Sequence, residues 1–181
     1  PPRLITLVPG PGTTVGTHLV KHPGVDKIAF TGSTETGAQI MRDASDGIKR
    51  LTLELGGKSP NIVFADADLA DAIPSSAWSI YYSAGQSCEA RSRILVEHPA
   101  YDDFVAQFSD AAARIKVGDP LEPETQVGSL ISTDHRDRVH GYVETGRSEG
   151  AEVVTGGEPS DGKGAFYPPT VLAGVNQEMT V

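Results

Sequence analysis

Lys27-Ile28-Ala29-Phe30-Thr31-Gly32-Ser33-Thr34-Glu35-Thr36-Gly37 is the stretch that decides the fold. Ile28, Phe30 and Thr31 favour extended backbone, so residues 27–31 read as a strand. Gly32 breaks it, and Ser33 or Thr34 caps a helix predicted to run to about residue 44. The same order occurs just upstream. Leu4-Ile5-Thr6-Leu7-Val8 reads as a strand, Pro9-Gly10-Pro11-Gly12 stops it, and residues 13–21 suit a helix with Thr13 or Thr14 as N-cap. His22-Pro23-Gly24 ends that helix. Two strand-glycine-helix units in succession predict an α/β fold with parallel layers.

Glycines at such turns let the backbone approach a phosphate, and the following helix offers unpaired N–H groups and a positive dipole end. They also serve as ordinary tight turns. Neither turn matches a nucleotide fingerprint: Gly10-x-Gly12 reaches Gly16 after three residues rather than two, and Gly32 to Gly37 lacks a P-loop lysine. From the residues alone both readings stay open.

Downstream, Arg50-Leu51-Thr52-Leu53-Glu54-Leu55 alternates as a strand does, and Gly56-Gly57-Lys58-Ser59-Pro60 breaks it. Alternation puts Thr52 and Glu54 on the face opposite the leucines, where Glu54 is either a solvated edge residue or looks into a cleft. Residues 61–64 resume as a strand. Asp66 and Asp68 read as helix caps rather than calcium ligands, since no further ligand positions of a calcium loop follow. A helix over about 69–83 comes next, with Pro74 tolerable only near its first turn. It leads into Ser83-Ala84-Gly85-Gln86-Ser87-Cys88, which ends in the only cysteine of the chain. Alone, that thiol is either a packed small hydrophobe or a nucleophile with room around it.

Residues 92–97 read as a strand, and Pro99 opens a helix to about residue 116. Its Tyr101, Phe104, Val105, Phe108, Ala112 and Ile115 form a core-facing stripe. A Pro-, Asp- and Gly-rich loop, a polar helix over about 133–149, a strand over 152–155 and a hairpin-like segment complete the chain. His18 and His22 share a helix face but lack a third ligand, so they read as surface residues and no metal site is expected.

Composition narrows the function. With 181 residues the chain can bury a substantial core, and 15 Lys+Arg against 24 Asp+Glu give a net charge of −9, which argues against a nucleic-acid partner. No apolar run approaches the roughly 20 residues of a membrane span. Pro1-Pro2-Arg3-Leu4 is neither a signal nor a transit peptide. A single cysteine forms no internal disulfide, so a cytoplasmic location is expected.

Three segments, Phe30-Thr31-Gly32-Ser33-Thr34-Glu35-Thr36-Gly37, Leu53-Glu54-Leu55-Gly56-Gly57-Lys58-Ser59-Pro60 and Gly85-Gln86-Ser87-Cys88, closely resemble the signature stretches of the NAD(P)-dependent aldehyde dehydrogenase superfamily. The 34-residue step from Glu54 to Cys88 also looks like that family's. The resemblance extends through Val117-Gly118-Asp119-Pro120 and Gly156-Gly157. It implies Rossmann-like layers, with residues 1–56 as the end of the NAD(P)-binding domain and 57–181 as the first part of the catalytic domain.

By the same resemblance, Cys88 is the nucleophile and Glu54 the general base. Gly32 and Ser33 lie near the cofactor pyrophosphate, Gly10 and Gly12 on the adenosine side, and Leu55 and Gly56 beside the nicotinamide. The implied substrate is a small-molecule aldehyde, the cofactor NAD or NADP, and the parent a homo-oligomer. The match covers a little over a third of a typical family chain. It lacks the family's Pro-Trp-Asn segment, whose asparagine completes the oxyanion hole, the lysine that meets the adenosine ribose, and the Glu-x-Phe-Gly-Pro segment that binds the nicotinamide ribose. A central fragment with little activity of its own is therefore expected. Two other classes remain: a non-enzymatic interaction module that keeps the fold, and a cysteine hydrolase, for which no histidine stands in a matching context.

Overall fold

A computed structural model describes residues 4–181. Most of the Pro1-Pro2-Arg3-Leu4 stretch therefore lies outside the described residues. The chain divides into two compact units, the first ending at Gly57 and the second running Lys58–Val181.

In the first unit, a π-helical turn over Gly12–Gly16 leads into α1 (Thr17–Lys21), followed by β1 (Lys27–Gly32), α2 (Thr34–Ser45) and β2 (Arg50–Leu55). β1 and β2 pair in parallel, with Thr31 opposite Glu54 and Gly32 opposite Leu55. Both strands alternate exposed and half-buried residues. Ile28, Phe30, Leu51 and Leu53 point to one side and pack on Val20 of α1 and on Ile40 and Ala44 of α2. The two-residue period of the strands and the helical period of α2 thus meet in one small core. Ser33 is the N-cap of α2, its Oγ accepting from the Thr36 N–H at 3.2 Å.

Two expectations for this unit need correction. Residues 4–8 form no strand, and Leu4, Ile5 and Leu7 are 76%, 90% and 87% exposed. Their composition favours extended backbone, but a strand exists only where a neighbour satisfies its N–H and C=O groups, and among the described residues β1 and β2 pair with each other alone. Neither Thr13 nor Thr14 is an N-cap. Pro11, at φ −61° and ψ 137°, holds that position without a side-chain cap, and its carbonyl accepts from the Thr14 and Val15 N–H groups and from Thr14 Oγ1.

The second unit holds β3 (Pro60–Val63), α3 (Leu69–Tyr81), β4 (Arg93–Val96), α4 (Tyr101–Ala113), α5 (Thr133–Glu149), β5 (Glu152–Thr155) and β6 (Val171–Ala173). β3 and β4 are parallel, β5 and β6 antiparallel. Asp68 caps α3 by accepting from the Ala70 N–H at 2.9 Å. Pro74 lies in the second turn of α3 rather than the first. Pro74 and Ala70, whose carbonyl loses its helical partner, are both exposed, so that carbonyl is not buried without a partner. α4 is shorter than its apolar stripe suggests: Pro99 sits in a separate 3₁₀ turn, His98–Ala100, and the helix ends at Ala113.

Val63, Ile73, Ala77, Phe104 and Phe108 form the core between β3, α3 and α4. The Phe104 and Phe108 rings stack with centroids 5.5 Å apart, and Phe104 is 1% exposed. Replacing Phe104 by Ala is expected to lower unfolding free energy by about 3–5 kcal/mol, read as a shift in the urea midpoint at unchanged slope. α5 starts at Ser132, whose Oγ accepts from the His135 N–H, and stops at Gly150, whose φ of +102° suits glycine. Among the described residues no helix is long and apolar enough to cross a membrane, and no group of three or more His, Cys, Asp or Glu is placed to hold a metal.

Candidate active site

The first unit carries a groove of about 880 Å³. Gly12, Gly16, Leu19 and Val20 line one side, Thr36 and Ile40 of α2 the other, and Ile28 and Phe30 of β1 the floor. The wall beside Gly12 and Gly16 stays open because a Cβ at either would meet no atom within 4 Å. Two further glycines shape its surroundings by close approach. A Cβ at Gly32 would stand 2.4 Å from Phe30 Cζ, so glycine there lets the Phe30 ring lie along the strand end. A Cβ at Gly37 would stand 2.6 Å from a Leu55 methyl, so glycine lets α2 settle on β2. Gly10, at φ +153° and with Val15 2.4 Å from its would-be Cβ, also requires glycine.

The site residues expected in this unit fall into distinct places. Gly12 lines the groove, whereas Gly10, Gly32 and Ser33 stand outside its lining. Ser33 Oγ is committed to Thr36, accepting from its N–H and donating to its Oγ1 at 2.9 Å. Leu55 is half-buried against Gly37, and Gly56 is exposed with open space around it. Glu54 is exposed on the β2 face opposite the leucines, in register with Thr31. Gly16, Val20 and Ile40 are among the groove residues that local pattern reading missed. Their signal, apolar and small residues on two consecutive helices, is also that of ordinary packing.

In the second unit, Cys88 is exposed. The segment that presents it departs from regular helix: after Tyr81 comes a 3₁₀ turn, Tyr82–Gly85, in which Ser83 and Ala84 both have φ +54° and Gly85 has φ +74°. Left-handed backbone at two non-glycine residues costs roughly 1–3 kcal/mol each and persists where the surroundings over-determine it. Gln86 supplies much of that restraint. Its Nε2 donates to the Ser83 carbonyl at 3.2 Å, and its Oε1 accepts from the Ile131 N–H at 2.9 Å. Beyond it, the Ala90 N–H closes a turn on the Ser87 carbonyl at 3.2 Å, so Cys88 sits on a hydrogen-bonded bend rather than in packed core.

Beside this bend, Trp78, Tyr82, Glu89 and Arg91 line a recess of about 420 Å³. The Trp78 and Tyr82 rings, four residues apart, have centroids 5.7 Å apart and are 70% and 44% exposed. Exposed aromatics at i and i+4 leading into a lone cysteine are the signal that would have singled them out.

The sequence model of the Aldehyde dehydrogenase family matches residues 1–181. A betaine aldehyde dehydrogenase of Bacillus subtilis (strain 168) is 46% identical over 185 residues, covering 100% of this chain and 38% of the relative. An aldehyde dehydrogenase of Alternaria alternata is 46% identical over 182 residues, covering 100% and 37%. Among solved structures, an aldehyde dehydrogenase from Bacillus cereus in complex with NAD+ superposes with TM-score 0.91 at 46% identity, over 96% of this chain and 35% of that one. The chain thus spans little more than a third of the length of the curated relatives it matches. A match that takes in every residue, backed by a superposition at nearly half identity, settles the ancestry of both units: the chain belongs to the aldehyde dehydrogenase family.

Proposed function

We propose that the chain is the cofactor-and-thiol portion of an enzyme that oxidises an aldehyde to a carboxylic acid with NAD or NADP. The observation that carries this reading is the display of Cys88: the only thiol stands exposed on a bend whose strained approach is pinned by Gln86. Strain of that kind marks sites whose geometry serves a purpose other than stability.

The first unit fits a dinucleotide. Gly12 and Gly16 leave the groove open, and Ile28, Phe30 and Ile40 give it an apolar floor and wall suited to a flat base. In this reading Gly10 and Gly12 serve the adenosine side, Gly32 and Ser33 at the start of α2 serve the pyrophosphate, and Leu55 and Gly56 serve the nicotinamide. When bound, the oxidised nicotinamide supplies the hydride acceptor.

The Cys88 thiolate adds to the aldehyde carbon, forming a C–S bond and leaving the electron pair on oxygen, where the Cys88 backbone N–H donates. The resulting thiohemiacetal loses its hydrogen as hydride and becomes a thioester. Glu54 takes a proton from the water that attacks the thioester carbon, the C–S bond breaks with its electron pair on sulfur, and the carboxylic acid leaves with the thiolate restored. The unit ending at Gly57 is thus assigned to the cofactor, and Lys58–Val181 to the acyl-carrying thiol.

The chain by itself is expected to bind NAD weakly and to turn over aldehydes hardly above background. Titration with NAD followed by amide NMR is expected to move Gly12, Gly16, Thr36 and Ile40. Shifts confined to other residues would remove the groove from the cofactor site. Turnover at about 1–10³ s⁻¹, the range of ordinary enzymes, would overturn the expectation of inactivity.

A further inference from the structure

The walls of the groove are unequally anchored. α2 has twelve residues, a Ser33 cap and two buried apolar side chains, Ile40 and Ala44. α1 has five residues, follows a π-helical turn without a side-chain cap, and buries Val20 alone. So short a helix has little stability of its own, and its position depends on what holds it.

Two lysines do so. Lys49, in the α2–β2 connection and half-buried, donates from Nζ to the carbonyls of His22 and Val25, each at 2.6 Å. His22 is the residue that ends α1, and Val25 lines the groove. The His22 carbonyl also accepts from the Val25 N–H at 3.1 Å, so the ammonium adds a charged donor to the turn that closes the end of α1 and ties both of its residues to the α2–β2 connection. Lys21, the last residue of α1, pairs with Asp43 of α2 at 3.2 Å, with the Asp43 side chain only 16% exposed. Asp43 is further held by a side-chain hydrogen bond to Gln39, the first cause, ahead of Lys21, of a carboxyl pKa below the ordinary range, with partial burial opposing.

We propose that Lys49, with the Lys21–Asp43 pair, is the positioning device of the groove: it seats α1 against α2 and so sets the width available to the adenosine. This rests on the assignment of the groove to adenosine. Neither lysine is asked to touch the ligand. Lys49 acts through two carbonyls, and charge-assisted bonds of that kind are strong enough to hold a frayed helix end.

The test uses the chain with 5′-AMP as the adenosine probe, comparing the unsubstituted protein with Lys49→Met, Lys49→Arg, Asp43→Asn and the reversed pair Lys21→Asp with Asp43→Lys. Without ligand, amide exchange over residues 19–25 is expected to accelerate about tenfold in Lys49→Met, as loss of charged hydrogen bonds dictates, and to recover in Lys49→Arg. AMP affinity is expected to fall about tenfold in Lys49→Met and about threefold in Asp43→Asn, with the reversed pair returning to within about twofold. Amide protection of Leu51 and Leu53 in β2, which belong to the core of the same unit, should stay constant throughout, which separates groove effects from general unfolding. Unchanged exchange over residues 19–25 in Lys49→Met overturns the clamp whatever AMP does. Altered exchange with unaltered AMP affinity overturns its control of the groove. If AMP moves no groove amide in the unsubstituted chain, the adenosine assignment fails, and with it the proposed effect on affinity; the exchange result still decides the seating of α1.

Discussion

Cys88→Ser, placed in a full-length enzyme carrying this segment, is expected to abolish aldehyde-dependent NADH formation, lowering kcat by roughly 10³-fold or more. The change is nearly isosteric at an exposed position, so it leaves no cavity and disturbs no core contact. What it removes is the nucleophile: a thiol ionises far more readily than a serine hydroxyl, and its sulfur is the stronger nucleophile. Nor does a hydrogen bond of the bend hold a base against the side chain at position 88. The bend's hydrogen bonds are Gln86 to Ser83 and Ile131, Ala90 to the Ser87 carbonyl, and the Glu89 N–H to Ser87 Oγ, and none of them runs to the side chain at position 88. The check is single-turnover NADH formation with intact-protein mass. The variant should show neither a burst nor an acyl adduct while keeping the unsubstituted melting temperature. A burst of ordinary size from the serine variant would remove Cys88 from the covalent step.

The parts of the fold legible in the sequence are those whose signals are local and agree with packing. α5 occupies Thr133–Glu149 as its pattern predicts, because Ser132 caps it and Gly150 takes the left-handed turn that ends it. β2 runs Arg50–Leu55 as predicted, because the leucines that alternate in sequence also face Ile40 and Ala44. Residues 4–8 misled for the opposite reason: propensity is local but pairing is not, and nothing in Leu4-Ile5-Thr6-Leu7-Val8 specifies a neighbour. Pro74 misled because the cost of the lost helical hydrogen bond depends on whether the freed carbonyl faces water, as that of the exposed Ala70 does.

The candidate site divides the same way. Gly32, Ser33, Glu54 and Cys88 belong to short stretches that are ambiguous singly and stand out together, by their order and spacing. The groove does not, since it exists only once α1 and α2 are set side by side over β1. The left-handed Ser83 and Ala84 carry no marker either: small residues tolerate that geometry without demanding it, and Gln86 enforces it through Ile131, 45 residues further along the chain.

Glu54→Gln is expected to divide the reaction rather than abolish it. The substitution keeps the size and shape of an exposed side chain on the β2 face turned away from Leu51, Leu53 and Leu55, so the first-unit core is untouched. A carboxamide accepts a hydrogen bond but takes up no proton at neutral pH, so the step that needs a base should fail alone. In the full-length setting, one equivalent of NADH should appear in a burst at the ordinary rate. Steady turnover should then fall by about 10²–10⁴-fold, the usual contribution of a positioned base. Intact-protein mass should show the acyl group retained, and a tryptic map should place it on Cys88. Addition of hydroxylamine, a nucleophile that needs no such base, should release the acyl group and restore a second burst. Each alternative result names a different role. Unaltered steady turnover would remove Glu54 from the mechanism. Loss of the burst together with turnover would move Glu54 to the earlier step, as the group that deprotonates Cys88, and hydroxylamine would then recover nothing because no thioester would have formed.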